Sequence, residues 1–280
     1  MKKLLIVLIA ATTLQISGCA TTSTTNSGAV GIERKQYVGL VSEKEAEKQS
    51  ALAYQQTIKE AESKKLLNTD SIETQRVRTI ANRLIAQVGV FRQDALKWNW
   101  EVNVQESKEV NAYCMAGGKI MVYTGLIDQI KPTDDELAAV MGHEMSHALR
   151  EHVREQMSRA KAQQLGLLGL AAVIGVTTQN ADNAATTVAL GGSLAAVALT
   201  LPNSRTAETE ADEMGLELAA RAGYNPDAAV TLWQKMAALG GSKPPEFLST
   251  HPADATRIAN LRAIVPKVRP LYEAAKEAGK

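Results

Sequence analysis

The pentapeptide His-Glu-Met-Ser-His at residues 143–147 constrains this chain more than any other feature. An α-helix turns about 100° per residue, so His143 and His147 lie about 40° apart on one face, where both imidazoles can reach one metal ion. Glu144 lies about 100° around from His143, close enough to take a proton from the attacking water but not placed as a ligand. The spacing therefore predicts a hydrolytic zinc site with Glu144 as its base.

The surrounding sequence predicts that this motif lies in a buried helix. Residues 133–136, Thr-Asp-Asp-Glu, have the pattern of a helix-capping box, and residues 137–141 are all apolar. Two histidines and a glutamate are costly to bury without a partner, and a divalent cation satisfies all three. The context therefore favours a metal site over a chance match to five residues.

A catalytic zinc site takes three protein ligands and leaves one position open, so a third ligand is needed. In the metzincin pattern a third histidine follows, but Arg150 and Val153 occupy the glycine and histidine positions of that pattern. His152 comes one residue early and, on a continuous helix, points about 180° away from His143. We therefore interpret His152 as a solvated surface residue.

The segment Glu-Thr-Glu-Ala-Asp at residues 208–212 supplies another candidate. Glu208 and Asp212 share a helix face, whereas Glu210 lies about 200° from Glu208 and is expected to face outward. Glu208 is the natural third ligand, and Asp212 can accept the second N–H of a ligating histidine. The alternative is an ordinary acidic surface helix. Because the chain also contains the HExxH motif, we favour the helix that supplies a ligand.

Four motifs follow one another along the chain: NAYCMAGGKIMVYTGL at 111–126, HEMSH at 143–147, SRTAETEADEMG at 204–215 and STHP at 249–252. In this order they resemble the gluzincin metallopeptidase family of HtpX, BepA, LoiP and the CAAX prenyl proteases, the Ste24-like peptidases, over about residues 70–265. The resemblance implies a zincin-like domain that binds one Zn²⁺ per chain, with Glu208 as third ligand. Ala116 departs from the pattern, since many members carry proline before the glycine pair.

His251 is the remaining histidine without an assigned role, and a His-Pro step also occurs in the resembling family. As a catalytic group, His251 could donate a hydrogen bond to the oxyanion that forms during peptide hydrolysis. It could instead occupy the open zinc position and keep the enzyme latent, or it could simply cap the helix that contains Arg257.

The first residues have the pattern of an export signal. Lys2 and Lys3 precede an apolar run too short for a transmembrane helix, and residues 16–19, Ile-Ser-Gly-Cys, resemble a lipobox in which Cys19 is lipidated. Ala20, rather than Asp, implies sorting to the outer membrane in the lipoprotein pattern of Gram-negative bacteria. The protein is thus expected on the periplasmic face of that membrane, in the manner of the LoiP-like members of the family.

The expected organisation has three parts: a signal peptide at 1–18, the lipidated cysteine and a flexible Thr/Ser-rich tether at 19–40, and one zinc metallopeptidase domain at 41–280. With Cys19 lipidated, Cys114 has no disulfide partner in the chain. We therefore expect Cys114 to be a small buried residue in a strand.

Apolar periodicity predicts an α+β fold that is predominantly helical. Helical spacing occurs at 43–66 and 77–88, strand-like alternation at 98–104 and a hairpin pattern at 113–123. After Thr124 the chain has helical patterns to its end, including 225–239 and 252–264. The resemblance implies a small β-sheet that borders the active-site cleft. The hairpin turning at Gly117 and Gly118 is therefore either the edge that pairs with an extended substrate or a purely structural element.

Two uncharged apolar stretches, residues 165–176 and 187–201, are each shorter than a membrane span. They could form a buried helical hairpin, a mobile lid or an element that touches the membrane.

The chain carries 31 basic and 30 acidic residues without a basic patch, so nucleic-acid binding is not expected. The motifs and the expected location predict a zinc-dependent endopeptidase that degrades unfolded or mis-assembled envelope proteins. The alternatives are a periplasmic chaperone or assembly factor with a latent zinc site, and an exopeptidase for small peptides. An intact Glu144 argues against the chaperone, because a structural zinc site does not require that carboxylate.

Overall fold

The computed structural model describes residues 21–178, 203–239, 246–251 and 255–279, with the backbone path alone for 167–178. The predicted signal peptide, Cys19 and the second apolar stretch lie outside these residues. The described part is mostly helical with small sheets, which confirms the predicted fold class.

The first two helices are α1, Glu43–Ser63, and α2, Ser71–Ile85. Each begins at a side-chain cap, because Ser42 accepts a hydrogen bond from the Glu45 amide and Asp70 accepts from the amides of Ile72 and Glu73. Helix α1 lies where the apolar spacing predicts it, whereas α2 ends at Ile85 and leaves Val88 in a following 3₁₀ turn.

A three-stranded sheet has the order β3–β5–β4, with β3 at Glu101–Gln105, β4 at Ala112–Met115 and β5 at Lys119–Tyr123. A two-stranded pair, β1 (Thr21–Thr22) with β2 (Gln36–Tyr37), precedes it in the chain. Strand β3 runs parallel to β5, whereas β4 is antiparallel to β5 with Cys114 opposite Ile120. Cys114 is buried in β4, as predicted, and β4 is an edge strand of this sheet.

The hairpin prediction is confirmed, and its turn depends on glycine. Gly117 and Gly118 have φ angles of 76° and 81°, in the left-handed region that favours glycine. A Cβ at Gly118 would also come within 2.6 Å of the Trp100 indole. The predicted strand at 98–104 starts later, at Glu101, because the Trp100 amide donates to the Trp98 carbonyl rather than to a neighbouring strand.

After the short helix α3, Thr124–Ile130, the HExxH motif lies in α4, Asp134–Leu149. Thr133 and Glu136 form the predicted capping box, and nearly all later residues of α4 are buried. Helix α5, His152–Thr178, follows after a sharp turn at Glu151, whose φ is 54°. Among the described helices, none combines the length and apolarity needed to span a bilayer.

The ExxxD segment lies in α6, Arg205–Arg221, and is followed by α7, Asp227–Ala238, α8, Glu246–Thr250, and α9, Ala255–Glu277. Helix α9 extends beyond the segment at 252–264, as expected for a chain that is predicted to be helical to its end. Helix α6 packs against both α4 and α9, so it lies between the HExxH helix and the C-terminal helix. At its crossing with α4, Gly215 lies directly against Gly142.

Residues 21–38, predicted as part of a flexible tether, instead pack on the domain. Val30, Ile32 and Val38 are buried, and Gln36 is fully buried. The Val30 amide donates to Glu217 of α6, and the Gln36 side chain donates to the Arg150 carbonyl. Composition does not reveal this packing, because each partner is more than a hundred residues away in the chain.

Candidate metal centre

The α4 helix brings the two motif histidines together as the spacing predicts. The Nε2 atoms of His143 and His147 lie 3.1 Å apart, and both side chains are buried. Each imidazole therefore directs the same nitrogen towards one point beside the helix.

Helix α6 adds a carboxylate at that point. Glu208 Oε2 lies 3.4 Å from His143 Nε2, and Glu208 Oε1 lies 3.3 Å from His147 Nε2. Ser204 caps α6 by accepting from the Ala207 amide, which fixes the first turn that carries Glu208.

His251, which follows α8, is the fourth member of the group. Its Nδ1 lies 2.9 Å from Glu208 Oε1 and 3.2 Å from His143 Nε2, and its ring stacks on Phe247 with centroids 4.5 Å apart. The donor atoms of His143, His147, Glu208 and His251 all lie within 4.8 Å of one another.

This group fits a zinc ion. Four donors placed tetrahedrally at the usual zinc distances would be about 3.3 Å apart, close to the spacings above. His143 Nδ1 lies 2.9 Å from Asp212 Oδ1, so its N–H points away from the cluster and its Nε2 lone pair points into it. A cation between them would stabilise lone pairs and a carboxylate that converge in a buried place.

The pKa shifts of these groups reflect how closely the imidazoles and carboxylates are packed together. Burial lowers the pKa of His143, but Glu208 and Asp212 outweigh it and raise that pKa to about 9. Burial raises the pKa of Glu208, yet the neighbouring histidines hold it far below its usual range. Burial lowers the pKa of His147 well below its usual value.

Arg257 is a site residue to which the sequence assigns no role beyond its place after His251. From α9, its Nε and Nη2 donate to the Asp212 carboxylate at 2.7 and 2.6 Å, and its Nη1 lies 2.8 Å from Glu208 Oε2. Its guanidinium lies over the Trp233 ring, 3.4 Å from the centroid. Arg257 thus holds Asp212 in the orientation that receives His143 Nδ1–H.

Glu144 is buried beside the cluster. Its Oε1 lies 3.5 Å from His251 Nε2 and 4.0 Å from His143 Nε2, and it accepts no hydrogen bond within the described part of the chain. Burial raises the pKa of Glu144. A carboxylate in this state is available to take a proton from a reacting group nearby.

Two residues expected at the surface are buried instead. His152 and Glu210 are 1% and 5% exposed, and His152 lies 2.8 Å from His147 Nδ1 through its own Nδ1 and 3.0 Å from Glu210 Oε2 through Nε2. The prediction for His152 is wrong because α4 ends at Leu149, so helical angles do not carry across the turn. The prediction for Glu210 is wrong because its face of α6 is covered by α5 and the N-terminal segment rather than by water.

The sequence model of peptidase family M48 matches residues 71–265. The chain is 34% identical to the mitochondrial metalloendopeptidase OMA1 of Saccharomyces cerevisiae, over 64% of this chain and 50% of that protein. It is 40% identical to OMA1 of Arabidopsis thaliana over 57% of this chain and 30% of that protein. It is 28% identical to the beta-barrel assembly-enhancing protease of Escherichia coli K12, over 75% of this chain and 42% of that protein. The chain thus spans half or less of these relatives, and the match across the helices that carry the metal cluster shows that it belongs to peptidase family M48.

Proposed function

We propose that this chain is a zinc-dependent endopeptidase. The observation that carries the proposal is the position of Glu144, a buried carboxylate whose Oε1 has no hydrogen-bond partner among the described residues, beside the converging donors of His143, His147 and Glu208. A structural zinc site would need four protein donors but not this adjacent carboxylate.

In this proposal His143, His147 and Glu208 hold the ion, and Asp212 fixes the His143 ring. When bound, zinc lowers the pKa of water from about 15.7 towards 7 and polarises the scissile carbonyl. Because all three ligands are buried and come from two helices packed against each other, little reorganisation is needed on binding.

Glu144 carries the proton in the proposed reaction. It takes a proton from the attacking water as the oxygen bonds to the carbonyl carbon, and it returns the proton to the leaving nitrogen as the C–N bond breaks. Burial raises the pKa of Glu144, so protonation of its carboxylate during the reaction costs less free energy.

His251 retains two roles in the proposal. Its Nδ1 lies among the donors of the cluster, which supports a fourth-ligand role that keeps the site latent. Its Nε2 lies on the side of Glu144, which supports hydrogen bonding to the oxyanion after a small movement.

We also propose that substrates bind as extended strands along β4, an edge strand whose backbone can pair with a peptide. The turn at Gly117 lines the same small cavity as His147, which supports a position of the hairpin beside the cluster. Unpaired segments of unfolded or mis-assembled envelope proteins would suit such a cleft. The lipobox at Cys19 supports anchoring at the periplasmic face of the outer membrane.

One relative is called a beta-barrel assembly-enhancing protease, which supports both an envelope substrate and the alternative of an assembly factor with a latent site. The two functions differ in whether peptide bonds are cut.

The deciding experiment compares the full chain with its Glu144→Gln variant, measuring zinc content and cleavage of an unfolded protein together. Both should bind about one zinc, and only the wild type should cleave. Glu136→Gln is the matched control, because Glu136 is a buried carboxylate on the same helix that pairs with Lys235 rather than with the cluster. It should cleave normally. If both proteins bind zinc and neither cleaves, the latent assembly factor replaces the endopeptidase.

A further inference from the structure

His147 is linked to a buried polar network that none of the roles above uses. His152 Nδ1 lies 2.8 Å from His147 Nδ1, and His152 Nε2 lies 3.0 Å from Glu210 Oε2. All three side chains are buried, so water does not compete for these contacts.

The chemistry of the two imidazoles allows one consistent arrangement of protons. His147 Nε2 faces the cluster and must present a lone pair there, so the neutral His147 ring carries its hydrogen on Nδ1. That N–H donates to His152 Nδ1, which leaves the hydrogen of His152 on Nε2. From there it donates to Glu210, and every nitrogen in the pair has a partner.

Glu210 is itself held from two sides. Arg34 donates to it through Nε at 2.6 Å and through Nη2 at 2.9 Å, and Arg150 donates from Nε at 3.2 Å. Arg34 also donates twice to Glu155 at 2.9 Å. The N-terminal segment thus orients Glu210 through a two-point contact rather than a single bond.

We propose that His152, oriented by Glu210, is the positioning residue for His147, just as Asp212 positions His143, and that Arg34 extends this support to the N-terminal segment. Helix α6 then contributes three acidic residues to the site. Glu208 belongs to the cluster, Asp212 orients His143, and Glu210 orients His147 through His152. The inference rests on the proposed function only in that the cluster binds a metal ion.

The test measures zinc affinity of the full chain by competition with a chromogenic chelator, and the visible spectrum of the cobalt(II)-loaded protein. Loss of a hydrogen-bonding partner behind a metal-ligating histidine typically weakens metal binding about 10- to 100-fold. His152→Phe, which cannot accept the His147 proton, should show a loss in this range and a shifted cobalt spectrum. His152→Gln can accept from His147 and donate to Glu210, so it should recover part of the affinity.

Glu210→Gln has a matched control in Glu217→Gln. Glu217 is also a buried carboxylate on α6, and it accepts from Arg221 and from the Val30 amide of the N-terminal segment. Both variants weaken the packing of that segment, but only Glu210→Gln should lower zinc affinity. If His152→Phe does not fold, this pair decides the question.

The proposal is overturned if folded His152→Phe and Glu210→Gln have the zinc affinity and the cobalt(II) spectrum of the wild type. It is also overturned if Glu217→Gln loses as much zinc affinity as Glu210→Gln. Metal affinity is measured without a peptide. If the wild type binds zinc but cleaves no protein, the proposed endopeptidase function is wrong, but the role of His152 can still be tested.

Discussion

Gly142 and Gly215 lie in contact where α4 crosses α6, immediately beside the first zinc-site histidine. A Cβ on Gly215 would come 2.6 Å from the backbone nitrogen of His143, and a Cβ on Gly142 would come 2.8 Å from the Gly215 carbonyl oxygen. The atoms in the way are backbone atoms, which cannot turn aside as a flexible side chain can. The two glycines therefore set how closely Glu208 approaches His143 and His147.

Gly215→Ala should separate the two helices. Overpacking a tight site typically costs about 1–3 kcal/mol, and here we expect a loss of zinc affinity as well, because Glu208 moves away with its helix. Urea unfolding and a zinc competition assay measure the two effects. Gly166→Ala is the control, since a Cβ there meets nothing within 4 Å and should stabilise α5 by about 0.5–1 kcal/mol. Normal zinc affinity in Gly215→Ala would contradict this account of the crossing.

Asp212→Asn should weaken zinc binding about 10- to 100-fold. The amide is a weaker acceptor for His143 Nδ1–H, and it loses the charge that Arg257 holds in place. The chelator competition assay measures the change. Asp227→Asn, which breaks an exposed pair with Arg269, should leave affinity unaltered. An equal loss in both variants would point to general destabilisation instead.

His251→Ala should raise cleavage of an unfolded protein while lowering zinc affinity, because His251 Nδ1 lies within hydrogen-bond distance of two cluster atoms. Initial rates and zinc competition measure both. The double variant with Glu144→Gln should be inactive, which assigns any gain to the same site. A fall in turnover of about 10²–10³ would indicate oxyanion stabilisation instead, and no change in either quantity would indicate a cap.

Acid should destabilise the protein through Glu155. Burial raises the pKa of Glu155, but hydrogen bonds from Arg34 and Arg159 outweigh it and bring the pKa to about 2, against an ordinary value of 4.5. A pKa that is lower in the folded state stabilises the fold above the unfolded-state pKa, and that stability is lost as pH falls from about 4.5 to 2.

The free energy of unfolding should accordingly decrease as pH is lowered through this window, as measured by urea titrations from pH 5 to pH 2. Arg34→Met should show a shallower decrease, because Glu155 then titrates nearer its ordinary value. Lys64→Met removes an exposed ion pair, which lowers the pKa of Glu60, and should change the slope far less, because water screens both charges. A slope that is equal in Arg34→Met and the wild type would contradict the assignment.

The parts of the site that depend on local spacing could be predicted from the sequence. Three features follow from the geometry of one helix or one hairpin. They are the ring positions of His143 and His147, the shared face of Glu208 and Asp212, and the turn at Gly117. Such patterns are complete within a dozen residues.

The parts that depend on distant packing could not be predicted. The contact of His152 with His147 requires the turn after Leu149, and the burial of Glu210 requires Arg34 from a segment with the composition of a linker. Hydrophobic periodicity carries no information about a polar network whose members are brought together by the tertiary fold. His152 and Glu210 lie away from solvent because each is a hydrogen-bond partner of the other.

The four donors also come from three separate stretches of the chain, because His143 and His147 share one helix. His143 and His251 are 108 residues apart, and Glu208 and His251 are 43 apart. An ion held by all of them would act as a removable cross-link that closes large loops of the chain. Without the ion, packing alone must offset the conformational entropy of those loops. Metal supply would then govern how long the chain survives proteolysis, as well as whether it performs proteolysis itself.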